Sequence, residues 1–384
     1  MTTTILPFTS DIPQEQLQEL KNRLALTRWP EPETCGGWDQ GVPLEYTREL
    51  ADYWANHYDW RKFEQRLNQW PQFTTEIDGI DIHFIHRRSP EEDALPIIIT
   101  FGWPGSVVEF HKVIDALADP VAHGGKASDA FHVVVPSLPG FGFSGKPRET
   151  GTSVEKIARM WGQLMARLGY DRYVAQGGDW GAMITQAMGL SETDKCAGIH
   201  VNMPIVAPDP ETMDQLTPQE EAALARLNFY REWDSGYSKQ QSTRPQTLAY
   251  GLADSPVGQM AWIIEKFYAW TDCEKNGIRH PEHVLTKDEL LDNVMLYWLT
   301  NSAASSARLY WESYNKPNLN PIQMPVGCSI FPKEIFSTSR RWAEKRFTNL
   351  IHWNELEIGG HFAAFEQPDL YMAEIRDCFR TLRA

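Results

Sequence analysis

Apolar residues near the start of the chain recur at the spacing of one helical face. In PQEQLQELKNRLALTRWP (13–30) they fall every three to four positions and stop at Trp29-Pro30. After a Gly-rich loop, LEYTRELADYWANHYDWRKFEQRLNQW (44–70) repeats the pattern and predicts a second helix, so the chain up to about residue 70 reads as helical. The period then changes to two. FTTEIDGIDIHFIH (73–86) alternates apolar and polar residues around Asp78-Gly79, a pairing that favours a tight hairpin.

From there strand-like and helix-like runs alternate. LPIIITFG (95–102), FHVVVPS (131–137), RYVAQ (172–176) and CAGIHVNMP (196–204) read as buried strands, with helices predicted over VVEFHKVIDALAD (107–119) and VEKIARMWGQLMARLG (154–169). Such alternation indicates a mostly parallel sheet with crossover helices. The pattern then breaks into helix-rich sequence without a convincing strand, and PVGCSIFP (325–332) and IHWNELEIG (351–359) resume it. The interruption reads as a helical lid over the carboxyl ends of the strands, where open α/β sheets place their sites. The expected organisation is an N-terminal region (1–92), a first core part (93–205), a lid (206–315) and a second core part (316–384).

Composition narrows the function classes. With 384 residues there is chain enough for a large core, while 36 Lys+Arg scattered among 51 Asp+Glu give a net charge of −15, which argues against nucleic-acid partners. No basic-then-apolar leader opens the chain, and no apolar run approaches the ~20 residues of a membrane span, so a soluble, cytoplasmic protein without a membrane anchor is expected. Five cysteines without C-x-x-C spacing suggest neither a disulfide framework nor a zinc site.

Chemistry enters at AQGGDWGAMI (175–184). A strand, a glycine-flanked residue and a helix form the nucleophile elbow of α/β-hydrolases, and the elbow residue here is Asp179. Two further candidates follow at strand ends: Glu334 in FPKE and His361 behind two glycines in GGHFAAFE. Nucleophile, acid, histidine is the chain order of that fold's triad. The fold class expected is therefore an α/β-hydrolase with an inserted helical lid and a helical N-terminal extension. Asp209, after CAGIHVNMP, is the rival acid.

GWPGS (102–106), SLPGFGFS (137–144), GGDWG (177–181), STRPQTLAYGLADSPVG (242–258), FPKE (331–334) and GGHFAAFE (359–366) together resemble the microsomal-type epoxide hydrolases over nearly the whole chain. The chain is expected to lack the membrane-anchoring segment those enzymes carry ahead of this region. The resemblance implies hydrolysis of an epoxide to a vicinal diol through an ester on Asp179. A carboxylate, ionised at neutral pH, attacks a strained sp³ carbon without prior deprotonation. His361 would then activate water, oriented by Glu334. Backbone N–H groups of Trp180 and, by resemblance, Trp103 would hold the oxyanion, with the two indoles lining the pocket. The resemblance also implies two lid tyrosines as acids, Tyr237 and Tyr310, with Tyr314 one turn away as the alternative to Tyr310. It departs from the family at Phe101, where His is usual, which puts the oxyanion loop's geometry in question.

Aromatic runs such as AWIIEKFYAW (261–270) suit both helix packing and an apolar or aryl epoxide. Trp54, Trp60 and Trp70 read as core contacts. The expected partners are a small-molecule epoxide and water, with no metal or organic cofactor; a homo-oligomer is neither required nor excluded. The competing readings are a haloalkane dehalogenase with the same Asp nucleophile and a non-catalytic ligand-binding protein on the same fold.

Overall fold

In the computed structural model, which describes residues 4–314 and 317–383, one sheet carries the molecule. Its strands are β1 (Leu6–Phe8), β2 (Gln72–Ile77), β3 (Ile80–Arg87), β4 (Leu95–Thr100), β5 (Phe131–Pro136), β6 (Tyr173–Gly177) and β7 (Cys196–Val201). A short ribbon of β8 (Glu274–Lys275) and β9 (Ile278–Arg279) stands apart, and β10 (Val326–Ile330) and β11 (Leu350–Glu355) complete the sheet. The order is β1-β2-β3-β5-β4-β6-β7-β10-β11. Pairing is antiparallel from β1 to β5 and parallel from β5 to β11. Ile97, Ile98 and Ile99 on β4 are fully buried, as expected for a central parallel strand covered on both faces.

The Asp78-Gly79 turn joins β2 to β3 with positive φ at both residues (52° and 77°), the conformation that fits the right-handed twist of the flanking strands. Helices Val154–Arg167 and Trp180–Ser191 pack together, and Pro368–Phe379 packs on β7 and β11. Between β7 and β10 lie the helices Pro218–Phe229, Gly236–Thr243, Pro245–Asp254, Pro256–Trp270, Lys287–Leu299 and Ala303–Ser313. The boundary expected at 315/316 falls outside the described residues.

Four local expectations need correction. The segment 44–70 is two helices, Leu44–Asn56 and Trp60–Leu67, because the Asp59 side chain caps the second by accepting from the Arg61 N–H. The helix expected over 107–119 is a 3₁₀ turn at Val107–Phe110 followed by a short α-helix at Ile114–Ala118. Four β-branched residues (Val107, Val108, Val113, Ile114) weaken continuous helix there, and the His111 ring bonds the Val108 carbonyl. The helix-rich insertion does contain strands: Asn276-Gly277, both at positive φ, turn β8 into β9. Finally, the N-terminal region is not wholly helical, since Leu6–Phe8 pairs with β2.

Candidate active site

Asp179 stands where β6 turns into the helix Trp180–Ser191, at φ 51° and ψ −127°. A side chain at positive φ is strained, and the flanking residues leave it no other course. A Cβ on Gly181 would lie 1.9 Å from the Thr100 carbonyl oxygen, and one on Gly177 would lie 2.1 Å from the Gly181 carbonyl oxygen, so strand and helix meet closely enough to force the sharp turn.

Each carboxylate oxygen has its own partner. Oδ1 accepts the Trp103 N–H at 2.8 Å, and Oδ2 lies 3.3 Å from His361 Nε2. The Trp180 N–H makes no hydrogen bond to this carboxylate among the described residues. The donor loop 102–106 keeps its bond to Asp179 with Phe101 in place of the usual histidine. Phe101 is buried, edge-on to Phe141 at 6.0 Å.

His361 follows β11, with its N–H donating to the Trp270 carbonyl at 2.9 Å. Its Nδ1 lies 2.5 Å from Glu334 Oε1, and both side chains are almost fully buried. Glu334 follows β10. Oε1 also accepts the Ile335 N–H at 2.7 Å, Oε2 accepts from Asn202 at 3.3 Å, and Arg226 donates to the Glu334 and Pro332 carbonyls at 2.7 and 2.8 Å. Burial by itself would lower the imidazole pKa. The negative charges of Glu334 and Asp179 outweigh it, and His361 lies well above its ordinary value. Asp209 has no part in this: it caps a short helix at Pro210–Thr212 and pairs with Lys345 at 3.4 Å.

The insertion brings aromatic rings over the elbow. Tyr237 stacks on the Trp103 indole at 5.0 Å, and Tyr310 stands edge-on to Trp180 at 4.7 Å and to Trp103 at 6.0 Å. Both tyrosines are buried, which together with neighbouring phenols and the Asp179 charge holds their pKa values well above 10. The Tyr310 hydroxyl has no hydrogen-bond partner among the described residues. Tyr314 turns elsewhere, its hydroxyl bonded to Tyr230 at 3.0 Å and Ser238 at 3.1 Å.

Sequence reasoning missed several groups at this site. Gln176 and Asn202, joined at 3.0 Å, support Glu334 from β6 and the end of β7. A polar residue at the carboxyl end of a buried strand was the available signal. Glu109, a carboxyl within apolar VVEF, was equally visible; Trp270 closes the aromatic run 261–270, but nothing local set it apart from the other rings of that run as the partner of His361. No group of three or more His, Cys, Asp or Glu among the described residues is placed to hold a metal ion.

Comparison with known proteins agrees with this geometry. A family profile described as "Epoxide hydrolase N terminus" matches residues 5–110, and one described as "alpha/beta hydrolase fold" matches residues 96–266. The chain is 53% identical over 381 residues to a candidate epoxide hydrolase of Stigmatella aurantiaca, covering 99% of this chain and 86% of that protein. It is 35% identical to epoxide hydrolase 1 of Sus scrofa, covering 97% and 88% of the two chains. The solved epoxide hydrolase of Aspergillus niger superposes with a TM-score of 0.88 at 34% identity, covering 98% of this chain and 96% of that one. A carboxylate elbow, a buried His–Glu pair and similarity along nearly the full length converge: this chain belongs to the microsomal-type epoxide hydrolase family of the α/β-hydrolase fold.

Proposed function

We infer that this protein is an epoxide hydrolase that forms and then hydrolyses an ester on Asp179. The observation that carries the reading is one carboxylate paired with a buried His–Glu couple, while two buried phenols pack on Trp103, the residue whose N–H it accepts, and on Trp180, the residue that follows it. In the first step Oδ2 attacks an epoxide carbon in line, and the C–O bond of the ring breaks. Alkoxide is a poor leaving group, so its oxygen takes a proton from the lid tyrosines Tyr237 and Tyr310, which burial keeps protonated at neutral pH.

In the second step water attacks the Asp179 carboxyl carbon and gives one proton to His361 Nε2. The new oxyanion is Oδ1, already bonded to the Trp103 N–H; the Trp180 N–H, at the start of its helix, is the second donor once charge develops. Collapse breaks the acyl–oxygen bond between the Asp179 carboxyl carbon and the former Oδ2, which leaves as the diol oxygen and takes the proton from His361, while the water oxygen stays on Asp179. Asp179, left as the acid, releases the second water proton to restore the tyrosine. Water and epoxide are the only reactants. The surrounding indoles and phenols favour an apolar or aryl epoxide.

His361→Gln tests this reading. With an aryl epoxide, the variant should gain the mass of the epoxide on Asp179 and release little diol, read by intact-protein and peptide mass spectrometry. Labelling by an alkyl bromide of similar size, and not by the epoxide, would replace the reading with a dehalogenase. No label from either reagent, with no diol from the unmodified enzyme, would end it.

A further inference from the structure

Beside Asp179 lies a small cavity whose lining includes Glu109, Gln176, Asp179, Asn202 and His361. Neither Tyr237 nor Tyr310 lines it. The space open to the centre of a water molecule is ≈ 10 Å³, about what a single water requires. A polar, one-water cavity touching both the nucleophile and its histidine is where the second half-reaction needs its reactant.

Glu109 is the group here that the mechanism above does not use. It sits on the 3₁₀ turn Val107–Phe110, capped by Ser106. The preceding loop is pinned by the helix Lys287–Leu299: Tyr297 donates to the Gly105 carbonyl at 2.7 Å, Asn293 to the Pro104 carbonyl at 2.8 Å, and the Ser106 hydroxyl to Asn293 at 2.7 Å. The carboxyl lies so close over Gly105 that a Cβ there would fall 1.4 Å from Oε1. A long, flexible side chain has thus been fixed with its acid group at the cavity wall.

We propose that Glu109 holds the attacking water of the hydrolytic step, its carboxyl oxygen accepting one water hydrogen while His361 Nε2 accepts the other. The inference rests on the epoxide hydrolase reading and extends it. The proton that reaches His361 later returns to the departing diol oxygen; the hydrogen held by Glu109 stays with the oxygen that adds to Asp179. Glu109 therefore gains and loses no proton over the cycle. It works as a neutral acid. Burial pushes its carboxyl up to about 8, with the Asp179 and Glu334 charges adding to the effect and His361 and the Ser106 backbone opposing it. The Tyr297 and Tyr371 phenols also face it, and both are pushed well above 10, chiefly by burial. Esterification removes the Asp179 charge, so during the hydrolytic step Glu109 ionises at or below that value. A carboxylate beside the incoming water would bind it in competition with His361, and hydrolysis should fall on the alkaline side.

The test separates the half-reactions by rapid quench and intact mass. Glu109→Leu should form the ester at the unmodified rate and hydrolyse it roughly 10²-fold more slowly, the scale of a displaced reactant. Glu109→Gln keeps the acceptor and the volume, so it should hydrolyse nearly normally at neutral pH while losing the alkaline decline. Unchanged hydrolysis in Glu109→Leu, equal slowing of both half-reactions in that variant, or an alkaline decline that persists in Glu109→Gln would each overturn the proposal. If His361→Gln accumulates no ester, the underlying reading falls and this role with it; if it does and Glu109→Leu behaves as the unmodified enzyme, only the role of Glu109 falls.

Discussion

Gly102→Ala isolates how far catalysis depends on the place of one carboxylate. A Cβ on Gly102 would lie 2.0 Å from Asp179 Oδ1 and 2.5 Å from both Asp179 Cβ and Cγ, against a practical minimum of 3.0 Å, so Oδ1 must retreat by at least 3.0 − 2.0 = 1.0 Å. That retreat stretches or breaks its 2.8 Å bond to the Trp103 N–H. Oδ1 can swing aside by side-chain rotation, but the Asp179 Cβ moves only with its backbone, so the elbow itself must shift slightly; the fold should survive, at a cost of about 1–3 kcal/mol for the overpacking. Oδ1 and Oδ2 belong to one rigid carboxylate, so the attacking Oδ2 is displaced with Oδ1, and a displacement of about 1 Å at a reacting atom costs on the order of 10²-fold in rate. The assay is single-turnover ester formation with His361→Gln as the common background, so that the adduct accumulates, alongside thermal unfolding of each variant. Gly251→Ala is the control: its Cβ meets nothing within 4 Å, and helix Pro245–Asp254 should be neutral or slightly stabilised. Ester formation in Gly102→Ala within a few fold of its background, in a folded protein, would refute the claim that the Trp103–Asp179 geometry sets the rate.

Other expectations follow from the same contacts. Glu334→Gln keeps the shape but removes the charge beside His361 Nδ1, so ester hydrolysis measured by quench should slow by roughly 10²–10⁴-fold and ester should accumulate. Tyr310→Phe should slow ester formation by roughly 10²-fold, whereas Tyr314→Phe, whose hydroxyl faces Tyr230 and Ser238, should leave it within a few fold; the reverse order would exchange their roles. Away from the site, burial raises Asp292 from 3.8 to about 7 even though Tyr58 donates to it at 2.7 Å. Between those two values the folded protein binds a proton that the unfolded chain has released, so this group's contribution to stability declines as pH rises through the window. Asp292→Asn cannot ionise, so its melting temperature relative to the unmodified protein should be higher at about pH 8.5 than at about pH 5; a pH-independent difference would contradict the linkage.

The parts of this structure legible in the sequence are those governed by local chemistry. Asp78-Gly79 marked a turn whose positive φ angles the structure contains, and the apolar run at 95–100 became the buried β4. Asp179, Glu334 and His361 were candidates by chain order, and the structure brings them into one bonded line. What escaped was decided elsewhere in the chain. The break at 57–59 depends on a cap that competes with strong helical periodicity, and β1 exists only because β2 offers it an edge. Asn276-Gly277 was as plain a turn signal as Asp78-Gly79, but its strands of two residues each are too short to show alternation. The distinction between Tyr310 and Tyr314 is one turn of helix, and the indoles and hydroxyls that separate them come from distant segments.

Placing His361 between two carboxylates has a consequence for the proposed cycle as a whole. In the resting protein both charges favour the imidazolium, which is a poor state for a base but harmless while Asp179 performs its own displacement. Ester formation neutralises Asp179. The charge passes to a lid phenolate, so of the two carboxylates in contact with His361 only Glu334 then remains ionised, burial regains influence, and the imidazole becomes easier to deprotonate at the stage that calls for a base. Hydrolysis regenerates the Asp179 carboxylate, and the preference reverses. A serine at the elbow would remain neutral before attack and after acylation, so it could not drive this alternation. The carboxylate at position 179 is therefore both the nucleophile that needs no activation and the charge whose disappearance readies its own base.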